Sequence, residues 1–384
     1  MRYLTAGESH GQALSGILEG IPAGIKIDSK FINNELRRRQ HGYGRGGRMK
    51  IESDKALFLS GIRLGETTGA PVAITIENKD WVNWQKRMHI EPVSEDDMPE
   101  KITIPRPGHA DLAGMYKYGH SDIRNVIERA SARETAARTA LGAIAKLFLM
   151  EFGITIGSHV IEIHSVKSSA SMDYAQLHKD SLKADESLVR CLDPDAEKEM
   201  IASIDTAKKN GDTVGGRIEI AAAGVPVGLG SYVHWDRKLD GLIAGSMMSI
   251  PAIKAVEIGM GIESGRAFGS KVQDPIVLNK SGSITRMSNN AGGIEGGVSN
   301  GQSLVVYITM KPISSLLSPL DSVDLGNKSS VKSRFERSDI CAVPAASVVG
   351  EAVLALVLMK EFLEKFGGDN IQDIKTSFEQ RREL

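Results

Sequence analysis

Read along the chain, apolar and polar positions alternate in patterns that sort most of it into strands and helices. Residues 13–27, ALSGILEGIPAGIKI, have short-strand character broken at Gly20 to Pro22, and helical spacing runs from Ser29 to Arg39. Residues 56–78 alternate as a hairpin turning around Gly65 and Gly69 to Pro71. By contrast, 80–101 is polar, tryptophan-bearing and irregular, which reads as a surface excursion. A long helix is predicted from near Ala132 to Phe152, ended by Gly153 and followed by the alternating strand ITIGSHVIEIHSV. The span 173–210 is charged with few large apolar positions and reads as an exposed helical insert, after which 215–230 returns to strand character. Leu304 to Met310 predicts a strong strand, and Pro344 to Phe366 an amphipathic helix closed by Gly367 and Gly368. The alternation lacks the one-strand, one-helix rhythm of a doubly wound sheet, and no GxGxxG follows a strand. It predicts a mixed α+β chain forming a single large domain over 1–384, with no internal repeat and no linker.

Composition narrows the function classes. At 41% hydrophobic and 25% charged residues the chain is neither disordered nor fibrous. Its 47 Lys and Arg nearly balance 48 Asp and Glu, so any preference for anions must be local, which argues against a general nucleic-acid coat. Cys191 and Cys341 stand far apart without metal-ligand spacing, so neither a metal site nor a disulfide framework is expected. The N-terminus MRYLTAGESHGQ has no apolar signal region. The longest strongly apolar stretch, Ala352 to Met359, falls short of the roughly 20 residues that span a bilayer. The expectation is a cytoplasmic protein without a membrane partner.

Five stretches carry candidate chemistry. Residues 37–50 hold Arg37, Arg38, Arg39, Arg45, Arg48 and Lys50 with His41, interleaved with glycines. Guanidinium forks and close backbone N–H groups suit phosphate and carboxylate. A solvated basic turn and an RNA-touching patch are the alternatives. His10 in GESHG and His109 in RPGHADL each sit among small residues, where an imidazole can reach a ligand and donate a proton near neutral pH. GESHG also matches GxSxG formally, but a nucleophile elbow needs a core strand before it and a helix after it. Ser131 and Glu134 read as a capping box that starts the long helix and offers an anion site beside Arg133. Lys311 to Ser315 lies just past a strand, and Arg337 with Asp339 just before the last long helix, as an ion pair or as an anchor and a base.

Taken in order, GESHG, RRRQHGYGRGGRMKIE, RPGHADL, RASARETAAR, SIPAIKAVEIG, GGIEGG, KPISS and RSDIC resemble the chorismate synthase family over essentially the whole chain. The resemblance implies a helical layer sandwiched between antiparallel β-sheets, assembled as a homotetramer. It implies a lyase that eliminates phosphate from 5-enolpyruvylshikimate 3-phosphate to give chorismate, with reduced FMN required and no net redox change. By the same resemblance Arg39, Arg45, Arg48, Arg106, Arg133 and Arg337 would line the substrate site. His10 would assist the leaving phosphate, His109 would stand near the flavin, and Asp339 would assist removal of the ring proton. Flavin contacts would fall on Arg129, Ala130, Ser131, Pro251, Ala252, Gly296, Lys311, Pro312, Ile313, Ser314, Ser315 and Arg337, and the resemblance associates Arg39 and Arg45 with NADPH as a reductant. Two positions depart from the family pattern: Pro251 stands where many members have Asn or Gln, removing an amide side chain and a backbone N–H, and Ile340 replaces the residue that commonly follows the aspartate.

Overall fold

Alternating strands with one apolar face must bury it, and here two antiparallel sheets do so against the same helices. The computed structural model describes residues 1–46, 53–280, 282–336 and 338–382. The first sheet runs in the order Arg2–Ala6, Ala13–Glu19, Val72–Glu77, Leu57–Ser60. The second runs Ile253–Ile258, Leu304–Met310, Gly216–Ala223, Thr155–Ile163, Val166–Lys167. In the first sheet Leu14, Leu18, Val72, Ile74 and Ile76 point inward and are buried, while Leu4, Ile17 and Leu59 remain exposed on strands of the same sheet.

The helices are α1 (Ser29–Gln40), α2 (Asp111–Tyr118), α3 (Arg124–Arg129), α4 (Thr135–Met150), α5 (Leu177–Glu186), α6 (Pro194–Lys209), α7 (Leu239–Met248), α8 (Gly269–Val272), α9 (Val343–Phe366) and α10 (Ile371–Arg382). Of these, α4 packs on the first sheet and on α9, and α9 packs on the second, with α1 beside both. The helical layer between antiparallel sheets is therefore present. The two central helices approach closely at Gly142, where a Cβ would lie 2.4 Å from that of Ala352, so only glycine fits.

The last long helix is not amphipathic. Twenty of the 24 residues of α9 are buried, because it is flanked by α4, α1, α7 and the second sheet. It is long and apolar enough to cross a membrane, but 94% of its most apolar window is buried inside the protein, the setting of a core helix. The insert 173–210 is helical but not exposed throughout. Its α5 buries Leu177, Ser181 and Ala184, and α6 buries Ala196, Met200, Ile204 and Ala207. Small and medium side chains suffice for that face, which is why the segment looked too polar for a core. The excursion 80–101 contains two short 3-10 turns and is mostly exposed.

Charge is buried in the helical layer as well. Glu351, in the middle of α9, accepts from Arg38 at 2.8 and 3.0 Å, Lys146 at 2.5 Å, Arg190 at 3.1 Å and Ser158 at 2.5 Å. Glu35 takes a second bond from Lys146 at 2.6 Å and one from Arg38 at 2.7 Å, while Asp185 pairs with Arg38 and Arg190. Burial pushes the Glu351 carboxyl up, but Arg38, Lys146 and Arg190 outweigh it and hold it well below the usual carboxylate range.

Candidate active site

The site residues hang on element ends around the N-terminus of α4. Ser131 Oγ accepts from the Arg133 N–H at 3.2 Å, which caps the chain as expected, but α4 begins only at Thr135, after a 3-10 turn over Ala132–Glu134. The reason is visible in the Ala132 carbonyl, which accepts from Arg39 Nη2 at 3.0 Å and from Thr135 Oγ1 at 2.6 Å, drawing it out of the α-helical ladder. Glu134 does not close a reciprocal box; its carboxylate pairs with Arg138 at 3.0 Å.

Arg39 and Arg133 meet across Asp54. Arg133 donates to Asp54 at 2.6 and 2.8 Å and, through Nε, to Asn78 Oδ1 at 2.9 Å. Arg39 Nε donates to Thr135 Oγ1 at 3.0 Å, and its Nη1 lies 3.6 Å from Asp54 Oδ2, buried and making no hydrogen bond among the described residues. Burial, opposed by Asp54 and reinforced by Arg133 and Arg45, pushes Arg39 down to about 10. Arg45 pairs with Asp339 at 3.3 Å, and the Gly46 N–H donates to Asp339 Oδ1 at 2.6 Å. Arg48 and Arg337 lie outside the described residues. The RNA-patch and solvated-turn readings of 37–50 lose their footing here, since Arg38 is locked in the core network and Arg39 is buried.

His10 sits in the loop between the first two strands. Its Nδ1 lies 2.9 Å from Glu128 Oε1, its backbone N–H donates to Glu128 Oε2 at 2.7 Å, and its ring stacks on Trp84 with centroids 3.8 Å apart. Burial pushes the Glu128 carboxyl up, yet its contacts with His10 and Arg124 prevail and lower it. Ser131 Oγ donates to Ser9 Oγ at 3.1 Å, and Arg129 donates to the carbonyls of Gly7 and Thr5 at 3.2 and 2.8 Å. A strand does precede GESHG, but the next element is a strand and not a helix, so no nucleophile elbow forms.

His109 occupies a different environment. Arg106 commits Nε and Nη2 to Asp111 at 2.8 and 3.0 Å, and its Nη1 reaches Ser315 Oγ at 3.4 Å. Lys311 Nζ donates to the Gly108 carbonyl at 2.7 Å and to Ser314 Oγ at 3.2 Å. Gly108 has φ +76°, and a Cβ there would lie 2.7 Å from Ser314 Oγ. Burial, then the charges of Arg106 and Lys311, push His109 below its ordinary value, against Asp111.

Ser338 Oγ donates to the Ser315 carbonyl at 3.2 Å, joining this group to Asp339. The Lys311 N–H donates to the carbonyl of Ala252 at 2.9 Å, with Ala252 held at φ +68°, and Arg138 reaches Ser249 Oγ at 2.7 Å. Pro251 and Ala252 are thereby tied to 311–315, whereas Gly296 is not. It lies beside Gly297, whose carbonyl accepts from the Leu239 N–H at the start of α7, while Ser249 follows that helix's far end, about 15 Å along it. Pro312 is exposed and Ile313 half-buried. Sequence reading singled out neither Asp54 and Asn78, which hold Arg133, nor Trp84 and Glu128 as partners of His10. Trp84 was signalled only as a tryptophan in a polar stretch, and Asp54 by nothing local.

Comparisons with known proteins place the sequence and the fold. A family model described as chorismate synthase matches residues 1–363. The chain is similar to the chorismate synthase of Carboxydothermus hydrogenoformans, 54% identical over 380 residues that cover 98% of this chain and 97% of the relative. It is also similar to that of Listeria welshimeri, 52% identical over 386 residues covering 100% and 99%. A crystal structure of a chorismate synthase superposes with a TM-score of 0.80 at 43% identity, covering 100% of this chain and 97% of that one. By sequence along nearly its whole length and by fold, the chain belongs to the chorismate synthase family.

Proposed function

We propose that this chain catalyses the family's lyase reaction, the 1,4-anti elimination of phosphate from 5-enolpyruvylshikimate 3-phosphate to chorismate, on the surface shared by Arg39, Arg45, Arg133, His10, Arg106, His109 and Asp339. The observation that carries the reading is Arg39: a buried guanidinium whose Nη1 makes no hydrogen bond among the described residues, with the guanidinium charges of Arg133 and Arg45 close by. A substrate bearing one phosphate and two carboxylates supplies counter-charge. Arg48 and Arg337 belong to the same proposed set by resemblance.

His10, with Nδ1 against a carboxylate, keeps Nε2 on the opposite side of the ring to give a proton to the departing phosphate. Asp339, fixed by Arg45 and the Gly46 N–H, assists removal of the ring proton. Burial first, and then the charges of Arg106 and Lys311, favour the neutral form of His109, which serves as a hydrogen-bonding partner.

The residues fit reduced FMN. Gly108 lies so close to Ser314 that a side chain there would clash, Lys311 brings a cation, and Ala252 turns its carbonyl onto the 311 backbone. Lys311 to Ser315, Pro251, Ala252 and Arg129 to Ser131 would hold the flavin, with Arg337 and Gly296 included by resemblance. When bound, reduced flavin supplies transient electron density to the substrate without net oxidation. The reading extends to NADPH contact at Arg39 and Arg45, and to a homotetramer in the cytoplasm. Exposed Leu4, Ile17 and Leu59 on the first sheet support association.

The test is anaerobic mixing of the protein with chemically reduced FMN and 5-enolpyruvylshikimate 3-phosphate, following chorismate and phosphate, with a second arm of oxidised FMN plus NADPH. Chorismate in the first arm is expected; its absence from folded, flavin-bound protein overturns the reading. The second arm decides the NADPH assignment, and native mass spectrometry the tetramer.

A further inference from the structure

His10 and His109 have different surroundings. His109 feels the charges of Arg106, Asp111 and Lys311, with the Pro107 oxygen 3.4 Å from Nδ1, whereas His10 has a carboxylate in hydrogen-bond contact with one edge and an aromatic face against its own. That carboxylate is built in. The Glu128 side chain is 1% exposed, and its Oε2 accepts the His10 backbone N–H at 2.7 Å while its Oε1 faces Nδ1 at 2.9 Å, so one group fixes both the loop and the imidazole. Arg124, one turn earlier on α3, holds the same Oε1 at 3.1 Å and is itself paired with Glu336 at 3.2 Å.

We propose that Glu128 is a positioning residue for His10: its carboxylate accepts the hydrogen bond from Nδ1–H, selects the tautomer protonated there, and stabilises the imidazolium whose Nε2–H goes to the leaving phosphate. An ionised carboxylate only accepts hydrogen bonds, so the nitrogen beside it carries the proton. With Nδ1–H held there, the exchangeable proton for the substrate is the one on Nε2. Trp84 adds to the effect, since an imidazolium stacked on an indole face is favoured over the neutral ring. Trp84 is itself fixed by its Nε1–H to Asp80 Oδ2 at 3.2 Å.

The charged groups around the pair are Arg124 and Arg129 on α3, Glu8 in the same loop, Asp80 and Arg87 from the excursion, and Glu336 with Arg334 from the segment before Asp339. Arg124 and Arg87 lie 5.1 and 5.6 Å from the Trp84 ring and work against a charged His10. Glu128 is the carboxylate among these groups that the structure places in hydrogen-bond contact with the imidazole.

The proposal rests on the reading of His10 as the proton donor, and its test separates the two. Glu128→Gln keeps the shape and removes the charge; Glu128→Asp keeps the charge. With saturating reduced FMN, a rate that needs protonated His10 falls on the alkaline side. Glu128→Gln is expected to pull in that alkaline limb and lower kcat roughly tenfold there, with KM for 5-enolpyruvylshikimate 3-phosphate within about threefold of wild type. Glu128→Asp is expected to restore most of the wild-type limb. Independently of turnover, 15N shifts of the His10 ring, identified by their absence in His10→Ala, should report Nδ1–H in the wild type and a shift toward Nε2–H in Glu128→Leu. An alkaline limb left in place by Glu128→Gln, or a His10 tautomer unchanged in Glu128→Leu, overturns the proposal. So does a loss of kcat uniform across pH, which is what a merely structural role gives. Failure of wild-type protein to form chorismate overturns the lyase reading instead, and the ring shifts still decide the role of Glu128.

Discussion

Arg38 and Arg39 are neighbours on α1, both buried, and they enter two differently composed charge clusters. Arg38 joins Lys146 and Arg190 against Glu35, Glu351 and Asp185, three cations facing three carboxylates. Arg39 lies with Arg133 and Arg45 near Asp54 and Asp339, and its own approach to Asp54 is no closer than 3.6 Å. Burial pushes Arg38 down, but Glu351 and Glu35 more than compensate and raise it, whereas Arg39 ends at about 10. Arg190 is also pushed down to about 10, by burial and by Arg38, so the shift alone does not separate the clusters. Direct contact does: Arg38 hydrogen-bonds Glu35, Glu351 and Asp185, whereas Arg39 Nη1 makes no hydrogen bond among the described residues. Guanidinium and carboxylate in direct contact hold the helices in register; a buried guanidinium nitrogen left without such a contact suits an anionic ligand.

The largest effects should come from the site's reacting groups. His10→Ala and Asp339→Asn are each expected to slow turnover about 10²–10⁴-fold while FMN still binds, read from anaerobic single-turnover rates and flavin fluorescence. Near-normal rates in either variant would remove that residue from the chemistry. Next comes the Arg38 cluster: Glu351→Ala leaves Arg38, Lys146 and Arg190 without their shared carboxylate and should cost about 3–5 kcal/mol in urea unfolding. A variant as stable as wild type would show that the core network does not hold the helices.

Arg39→Ala makes the opposite case. It should raise KM for 5-enolpyruvylshikimate 3-phosphate by about 10–100-fold, the worth of a charged hydrogen bond, and leave the melting temperature within a few degrees. A large drop in melting temperature would make Arg39 a structural residue like its neighbour. Smallest is a pH effect at His109. Its folded-state value lies below its ordinary 6.5, so the unfolded chain binds more protons in the window below 6.5 and stability falls as pH drops through it. His109→Asn should flatten that acid slope, checked by unfolding free energies from pH 7 to pH 5; an unchanged slope would mean that His109 does not contribute to it.

Much of the architecture was legible in local patterns. The strand Leu304–Met310, the hairpin within 56–78 and α1 all follow from periodicity and turn residues, because those signals act within a few positions, while α4 stops at Met150, short of the expected end at Phe152. The strand Arg2–Ala6 did not show itself, since its place depends on pairing with Ala13–Glu19, and α9 read as amphipathic because the sequence does not say how many neighbours a helix has. The candidate residues, too, were named by short motifs and family resemblance.

The sequence by itself determined which residue types occur and where the chain turns: a run of arginines, two histidines among small residues, glycines where backbones meet. Only the tertiary structure decided which arginine meets which carboxylate. Helical geometry turns consecutive side chains about 100° apart, so Arg38 and Arg39 face different sets of neighbours drawn from distant parts of the chain. Glu351 and Asp54 reach α1 across 313 and 15 positions, and no local rule carries information over the larger distance. The same holds for Glu128, 118 positions from His10, whose pairing follows from how α3 packs beside the loop after the first strand.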